Sequence, residues 1–309
     1  MKKLIITIIV AIIFLSTLLC IKNEFARKLY KNANYGIEVL ITKGSIDNLF
    51  LGSSMFRQGI DIYAVEKSLG NDSFILAYNG NQPVFEYLEL QYLLNHNVRI
   101  NNLYLDLYAY SATALPKISD ERLLVQTDTK FKFDIWKTLK NCKQANLSVF
   151  WELFVTSNNT SLFTFPISNK LTNPLYHKGG NVQKNQGITK EAIEKLETPA
   201  CDDKMNPIQK EYLNKIIDLA NENNIKIVMV ETPKWHDVSE NSSYVNVMSE
   251  YISILNDKEI TYILSQCTVE NMNANNVSVI PFDSNNPNYF NDKVHLSSLG
   301  REEFSSMIF

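Results

Sequence analysis

The apolar positions of this chain follow two periods that alternate along its length. Short apolar runs typical of strands lie at residues 48–51, 74–77, 103–108, 225–230 and 277–280. Apolar residues recur at helical spacing over residues 84–94, 208–219, 244–254 and 299–307, and a looser amphipathic stretch follows residue 54 as far as Leu69. Strands and helices in alternation predict an α/β fold with a parallel, doubly wound sheet and right-handed crossovers.

The first residues form a different pattern. Lys2 and Lys3 precede an unbroken apolar run over residues 4–21, which is long enough to cross a bilayer as a helix. The run ends without a small-x-small cleavage site, so we predict an uncleaved signal anchor, a transmembrane helix over residues 1–22. The alternative is a buried N-terminal helix of a soluble protein.

Basic residues also follow this run, so the positive-inside rule does not decide the orientation; they are Lys22, Arg27, Lys28 and Lys31. Long domains are translocated largely regardless of such charges. We therefore predict a single-pass protein of the cytoplasmic membrane with its body on the extracytoplasmic side.

The rest of the chain divides into a stalk and one domain. Residues 23–44 are polar and lack a clear period, which predicts a stalk before a domain over residues 45–309. Residues 111–205 break the alternation and are rich in Asn, Thr, Lys and aromatic residues. We interpret them as an insertion. Because it follows the third strand, we expect it to cover the site, which in such folds forms beyond the carboxyl ends of the strands.

Composition narrows the functional classes. The 309 residues are 45% apolar and carry a net charge of −3, which fits a folded core and gives no sign of nucleic-acid binding. No Cys, His or carboxylate cluster has metal spacing and no Gly-rich phosphate loop follows a strand, so we expect neither metal nor cofactor. Cys142 and Cys201 could pair across the middle region, or remain free thiols.

A serine follows the first predicted strand, in the sequence Leu51-Gly52-Ser53-Ser54-Met55. A serine on a tight turn from strand to helix exposes its hydroxyl above the sheet, and its own N–H can face a developing oxyanion. This pattern predicts a nucleophile at Ser54. The alternative is a helix N-cap.

An acid and a histidine lie near the other end of the chain, in Asp292-Lys293-Val294-His295. At this spacing, on a turn that leads into a helix, the carboxylate of Asp292 can reach the imidazole of His295 and fix its tautomer. His295 would then take the proton of the serine. The alternative is an N-cap aspartate beside an exposed histidine.

These two blocks together resemble the SGNH (GDSL-like) hydrolases, in which a Gly-Asp-Ser-like block opens the domain and an Asp-x-x-His block closes it. The resemblance implies a flavodoxin-like sheet and a triad of Ser54, His295 and Asp292. It also implies an oxyanion hole formed by Ser54, Gly80 and Asn81, because Asn79-Gly80-Asn81 matches the second block in place. The family's third block ends in asparagine, and this chain departs from it with Asp106-Leu107-Tyr108. Asn79 or Asn81 could substitute for it, or the hole could rely on backbone donors alone.

The Ser-Ser variant and the N-terminal anchor look like one branch of that family. It contains membrane-anchored proteins that modify envelope polymers, such as DltD-like proteins and the alginate O-acetylation proteins. The resemblance implies O-acyl transfer or ester hydrolysis on a cell-surface polysaccharide or lipid-linked acceptor, with a membrane protein as possible acyl donor. Arg57, Lys234 and His236 are candidate substrate contacts; for Lys234 and His236, which follow the fourth strand, the alternative is a polar loop without a role in the site. The alternative is a non-catalytic scaffold that binds a glycan or acyl donor.

Overall fold

The computed structural model describes residues 2–32, 34–70, 72–156, 176–265 and 276–309. The strands are β1 (Ser45–Gly52), β2 (Ser73–Ala77), β3 (Arg99–Asp106), β4 (Tyr176–His177), β5 (Gly180–Asn181), β6 (Lys226–Val230), β7 (Thr261–Leu264) and β8 (Val277–Val279). The helices of the N-terminal half are α1 (Lys2–Asn32), α2 (Ile37–Lys43), α3 (Ser54–Gly59), α4 (Ile62–Leu69), α5 (Pro83–Asn95), α6 (Ala109–Thr113), α7 (Arg122–Val125), α8 (Thr129–Asn141) and α9 (Leu147–Trp151).

A π-helical turn (Glu152–Thr156) follows α9 directly. The later helices are α10 (Lys190–Glu194), α11 (Pro207–Glu222), α12 (His236–Ser239), α13 (Ser242–Asp257) and α14 (Ser298–Ile308), with a 3₁₀ turn at Pro287–Tyr289.

Six strands form one sheet in the order β2-β1-β3-β6-β7-β8, and each neighbouring pair is parallel. The chain passes from β1 to β2 on one side and then returns to β3 on the other. The prediction of an α/β fold with a mostly parallel sheet is confirmed. In such a sheet the carboxyl ends of β1, β2 and β3 meet at one edge, and a change of direction between neighbouring strands opens a crevice there.

Strands β1, β2 and β6 are buried on both sides, and alternate residues of β1 belong to different core clusters. Leu49 and Leu51 of β1 pack in one cluster with α5, α11 and α13, whereas Phe50 packs in the other. That second cluster contains Phe56 of α3 and Phe304 of α14. Helices therefore cover both faces, as in a doubly wound sheet.

Some elements differ from the sequence prediction. Residues 37–43 of the predicted stalk form α2, whose Ile37 and Leu40 are fully buried, so this part belongs to the folded body. The amphipathic stretch after the nucleophile turn divides into two helices, because the side chain of Asp61 accepts a hydrogen bond from Tyr63 N–H and begins α4. Strand β7 was not predicted.

The apolar N-terminal run lies in α1. Among the residues whose side chains the structure describes, no helix is both long enough and apolar enough to span a membrane. The signal anchor stays a prediction from the sequence.

The described parts of the insertion lie in several places around the sheet. Asp120 accepts a hydrogen bond from Asn79 N–H at 2.8 Å, next to Gly80, and Lys178 O accepts one from Ile75 N–H of β2 at 2.9 Å. Helix α8 packs against α5, on one face of the sheet. Further along, Asn185 N–H donates to Ser298 Oγ at 2.8 Å, and Ile188 N–H donates to Phe290 O at 2.8 Å. This later part therefore lies against the C-terminal segment on both sides of Asp292 and His295. That the insertion covers the site and selects the acceptor stays a prediction.

Candidate active site

The turn after β1 is shaped by close packing at Gly52 and by a cap at Ser53. A Cβ atom on Gly52 would lie 2.5 Å from Asp106 Cβ, so only glycine fits. The Ser53 hydroxyl accepts a hydrogen bond from Met55 N–H at 3.1 Å and is the N-cap of α3. Ser54 is the first helical residue, and its hydroxyl has no capping role. The helix N-cap, the alternative role considered for Ser54, is therefore Ser53.

The structure brings the three predicted catalytic side chains into one hydrogen-bonded chain. Ser54 Oγ lies 2.8 Å from His295 Nε2, although the two residues are 241 positions apart in the sequence. His295 Nδ1 lies 2.8 Å from Asp292 Oδ2. These distances are those expected for a nucleophile, its base and the group that orients the base.

The second oxygen of Asp292 holds the turn that presents His295. Asp292 Oδ1 accepts hydrogen bonds from the N–H groups of Val294 and His295, at 2.8 and 2.9 Å. Burial acts to raise the pKa of Asp292, but these bonds and the bond from the His295 ring together lower it. Asp292 therefore carries a negative charge near neutral pH. The N-cap of α14 is Ser297, not Asp292.

Backbone bonds and packing fix the loop that carries this pair. Asn291 N–H donates to His295 O at 2.8 Å, and Phe290 pairs with Leu296 in an isolated antiparallel bridge. Phe290 is fully buried, and its ring centroid lies 5.7 Å from that of Trp235. The loop that carries Asp292 and His295 is thus fixed by backbone bonds and by the packing of Phe290, in addition to the contacts of the two side chains themselves.

Two backbone N–H groups near the nucleophile are candidates for an oxyanion hole. The first N–H groups of a helix have no partner within the helix, and this applies to Ser54. Gly80 follows β2, the strand beside β1, and has a φ of 59°. Among the described residues, neither N–H donates to a backbone carbonyl. That both face a bound oxyanion stays a prediction.

Asn81 has a different environment from the one the resemblance implies. Its side chain is buried, and its two amide hydrogens are directed to Gly52 O at 3.3 Å and to Glu89 Oε1 at 3.1 Å. Its backbone N–H donates to Tyr78 O. Asn81 therefore ties the turn after β1 to α5, and no donor of this residue is left for an oxyanion.

Arg57 and Lys234, two of the three candidate substrate contacts, are buried. The Arg57 guanidinium donates through Nη2 to Asn79 Oδ1, next to Gly80. Lys234 Nζ donates to Thr232 O at 2.7 Å. Both side chains support turns at the edge of the sheet.

His236 is the third candidate contact, and it is accessible. Its side chain is 35% exposed, and its Nδ1 lies 3.9 Å from Glu240 Oε2. A substrate contact by His236 stays a prediction.

Asp106 is a site residue that sequence reasoning missed. It ends β3, is buried, and accepts hydrogen bonds from Ser53 Oγ at 2.5 Å and from Ser53 N–H at 3.3 Å. Burial raises the pKa of Asp106 to about 6, although the Ser53 bonds and the charge of Lys234 act in the opposite direction. Its position at the end of the third strand was the available signal, although the resemblance led us to expect an asparagine there and no role for an aspartate.

Comparison with known proteins gives no family assignment. No protein-family model and no curated protein matches this chain.

Over the described residues, no group of three or more His, Cys, Asp or Glu side chains is arranged to hold a metal ion. Cys142 and Cys201 are both free thiols.

We expect Ser53→Ala to lower stability more than loss of a cap alone, while a measurable fraction of activity remains. The variant loses the cap of α3 and the donor to Asp106, together about 2 kcal/mol in the free energy of unfolding. Urea unfolding measures this. Asn241→Ala is the matched control, because Asn241 caps α13 without a buried partner; equal losses in the two variants would show that the Asp106 bond contributes nothing.

Asp106 should make stability depend on pH. A carboxyl whose pKa is raised on folding stabilises the native state below the unfolded pKa, and this contribution is lost as pH rises through about 6. Asp106→Asn keeps an acceptor for Ser53 and removes the titration. The stability of the variant relative to wild type should therefore increase by up to about 3 kcal/mol between pH 4 and pH 8.

Thermal melting of both proteins across this pH range checks the prediction. Buried Glu86 and Glu89 also have raised pKa values. Because the charge of Asp106 contributes to the shift at Glu86, wild type and variant are compared in a Glu86→Gln background. Parallel stability curves would mean that Asp106 does not change its protonation on folding.

Proposed function

We propose that this chain is a serine acyl-transfer enzyme of the SGNH type, with Ser54 as nucleophile, His295 as base and Asp292 as the orienting acid. The observation that carries the proposal is the continuous hydrogen-bonded chain of these three side chains, with 2.8 Å at each link. The parallel sheet supports it, since the nucleophile turn follows the carboxyl end of β1.

The first half of the reaction forms an acyl-enzyme. Ser54 Oγ attacks the carbonyl carbon of an ester or thioester while its proton passes to His295 Nε2. The negative charge on the carbonyl oxygen accepts hydrogen bonds from the N–H groups of Ser54 and Gly80. The bond to the alcohol or thiol then breaks, and the leaving group takes the proton from His295.

The second half reverses these steps with another nucleophile. Water or a sugar hydroxyl gives its proton to His295 and attacks the acyl carbon, and Ser54 leaves with that proton. Throughout, Asp292 keeps the proton of the imidazole on Nδ1 and stabilises the imidazolium that forms. Hydrolysis and transfer thus use the same residues and differ only in what reaches the acyl-enzyme.

We further propose a site of action beside the membrane. The apolar run over residues 4–21 supports a single-pass anchor with the domain on the extracytoplasmic side. An anchored enzyme meets envelope polymers and lipid-linked sugars more often than soluble metabolites. The acceptor is accordingly a hydroxyl of a cell-surface glycan, and a membrane protein would supply the acyl group.

The test is pre-steady-state kinetics of the full chain with p-nitrophenyl acetate. An acyl-enzyme predicts a burst of p-nitrophenol equal to the enzyme concentration, followed by slower turnover. Added glycan oligosaccharides should accelerate the slow phase and appear as acetylated product if transfer is the function. Turnover that the oligosaccharides do not accelerate, with free acetate as the product, identifies an esterase. Release of p-nitrophenol no faster than without the protein would contradict both.

One observation favours a second candidate, a scaffold that binds a glycan or acyl donor without turnover. The strand β3 ends in Asp106, where the SGNH family has an oxyanion-hole asparagine nearby, and Asn81 does not replace it. Binding of an acylated glycan without product or burst would favour the scaffold.

A further inference from the structure

Helix α8 and the segment that follows it expose an aromatic face remote in sequence from the triad. Exposed fractions are 53% for Phe133, 80% for Leu147, 37% for Phe150 and 54% for Trp151. We call these four residues, together with the partly buried Trp136 and Phe154, the aromatic face. Large apolar side chains grouped in this way on a soluble surface indicate a binding surface.

Four rings of the aromatic face, those of Phe133, Trp136, Phe150 and Phe154, contact one another across α8, α9 and the π-helical turn. Ring centroids lie 4.8 Å apart for Phe133 and Phe154, 4.9 Å for Phe150 and Phe154, and 5.3 Å for Trp136 and Phe150. The opposite side of α8 is anchored in the core by Phe131, Ile135 and Leu139. The aromatic face is therefore one continuous surface on a fixed support.

Lysines surround this face. Residues 129–154 contain five lysines and only two carboxylates, whereas the whole chain has a net charge of −3. Lys130, Lys137 and Lys140 lie on one side of α8 with Phe133, at helical spacing, and all are exposed. Within the described part of the chain, none of these three lysines is in an ion pair with a carboxylate.

We propose that the aromatic face docks on the surface of an anionic lipid bilayer. Tryptophan is enriched at the boundary between headgroups and acyl chains, and long lysine side chains reach from apolar surface to phosphate. Protein–protein interfaces instead are depleted in lysine. Aromatic rings ringed by unpaired lysines therefore fit a membrane better than a second copy of this chain or another protein.

The position of α8 in the chain agrees with this occupant. Helix α1, which carries the N-terminal apolar run, contacts α7. Only residues 126–128 separate α7 from α8. A bilayer bound by the predicted anchor would be available to the aromatic face. The docking does not depend on the catalytic proposal, because it uses none of the triad residues.

The test is fluorescence quenching of the full chain bound to vesicles that contain brominated phosphatidylcholine, with or without phosphatidylglycerol. Brominated acyl chains quench only tryptophans that reach the bilayer. Of the three tryptophans, Trp235 is buried, so quenching reports Trp136 and Trp151. We expect quenching in vesicles with phosphatidylglycerol, a decrease in Trp151→Phe to the part that Trp136 contributes, and weaker quenching without the anionic lipid.

Charge reversal separates docking from anchoring. Lys137→Glu with Lys140→Glu should weaken quenching at low salt, each substitution lowering docking by at least about fivefold. The protein should stay on the vesicles if α1 anchors it. The control is Lys215→Glu on α11, a lysine outside the aromatic face. Unquenched Trp136 and Trp151 on both kinds of vesicle, or crosslinking of Trp151→Cys between two copies, would overturn the proposal.

Discussion

Ser54→Ala is expected to abolish the acylation burst on p-nitrophenyl acetate. Alanine removes the hydroxyl that lies 2.8 Å from His295 Nε2, and no other nucleophile takes its place. Losing a catalytic serine removes the covalent step, which in serine hydrolases costs about 10⁶-fold in kcat. Stability should change little, because the Ser54 side chain caps no helix.

Ser53→Ala is the matched control for this prediction, since it changes the neighbouring serine of the same turn. It should lose stability and keep a measurable burst, the opposite pattern to Ser54→Ala. A burst retained in Ser54→Ala and absent in Ser53→Ala would assign the nucleophile to Ser53. Bursts of equal size in both variants would place the nucleophile elsewhere.

His295→Ala is expected to slow acylation by several orders of magnitude, because an unassisted serine hydroxyl is a poor nucleophile near neutral pH. Asp292→Asn should slow acylation less than His295→Ala does, but still by well over tenfold, because the imidazole loses the partner that fixes its tautomer. The Asp292 side chain is 42% exposed, so water can replace part of its effect. We expect the acylation rate to be lowest in His295→Ala, intermediate in Asp292→Asn and highest in wild type.

Stopped-flow burst kinetics measures the acylation rate of each variant, and thermal melting measures its stability. Asp292 also accepts two backbone N–H groups of its own turn, and the asparagine oxygen can keep one or both of them. The melting temperature should therefore fall by only a few degrees while acylation slows. Unchanged acylation rates together with lowered melting temperatures would make the pair structural and would favour the scaffold.

The sequence predicted the parts of the fold in which local pattern and tertiary environment agree. Strands β1, β2 and β6 are buried on both faces and therefore appear as continuous apolar runs. Helix α5 follows Pro83 at its first position, and α11 begins at Pro207. Ser54 and His295 could be paired because the two blocks that contain them together resemble the first and last blocks of the SGNH hydrolases.

Other features depend on contacts that a sequence pattern does not contain. Strand β7 has only four residues, and Tyr262 and Leu264 are buried through pairing with β6 and packing on α13. Helix α2 has an apolar run over residues 39–41 between Gly36 and Gly44, a signal that is too short to separate it from the polar residues before it. The role of Asp106 arises from its approach to Ser53, 53 positions earlier.

The central claim is that Ser54 is an activated nucleophile. Labelling of the full chain with a fluorophosphonate probe, followed by peptide mass mapping, tests it most directly. We expect a single adduct on Ser54, which is lost in Ser54→Ala and forms much more slowly in His295→Ala. No adduct on the folded protein, or an adduct on another serine with Ser54 unmodified, would contradict it.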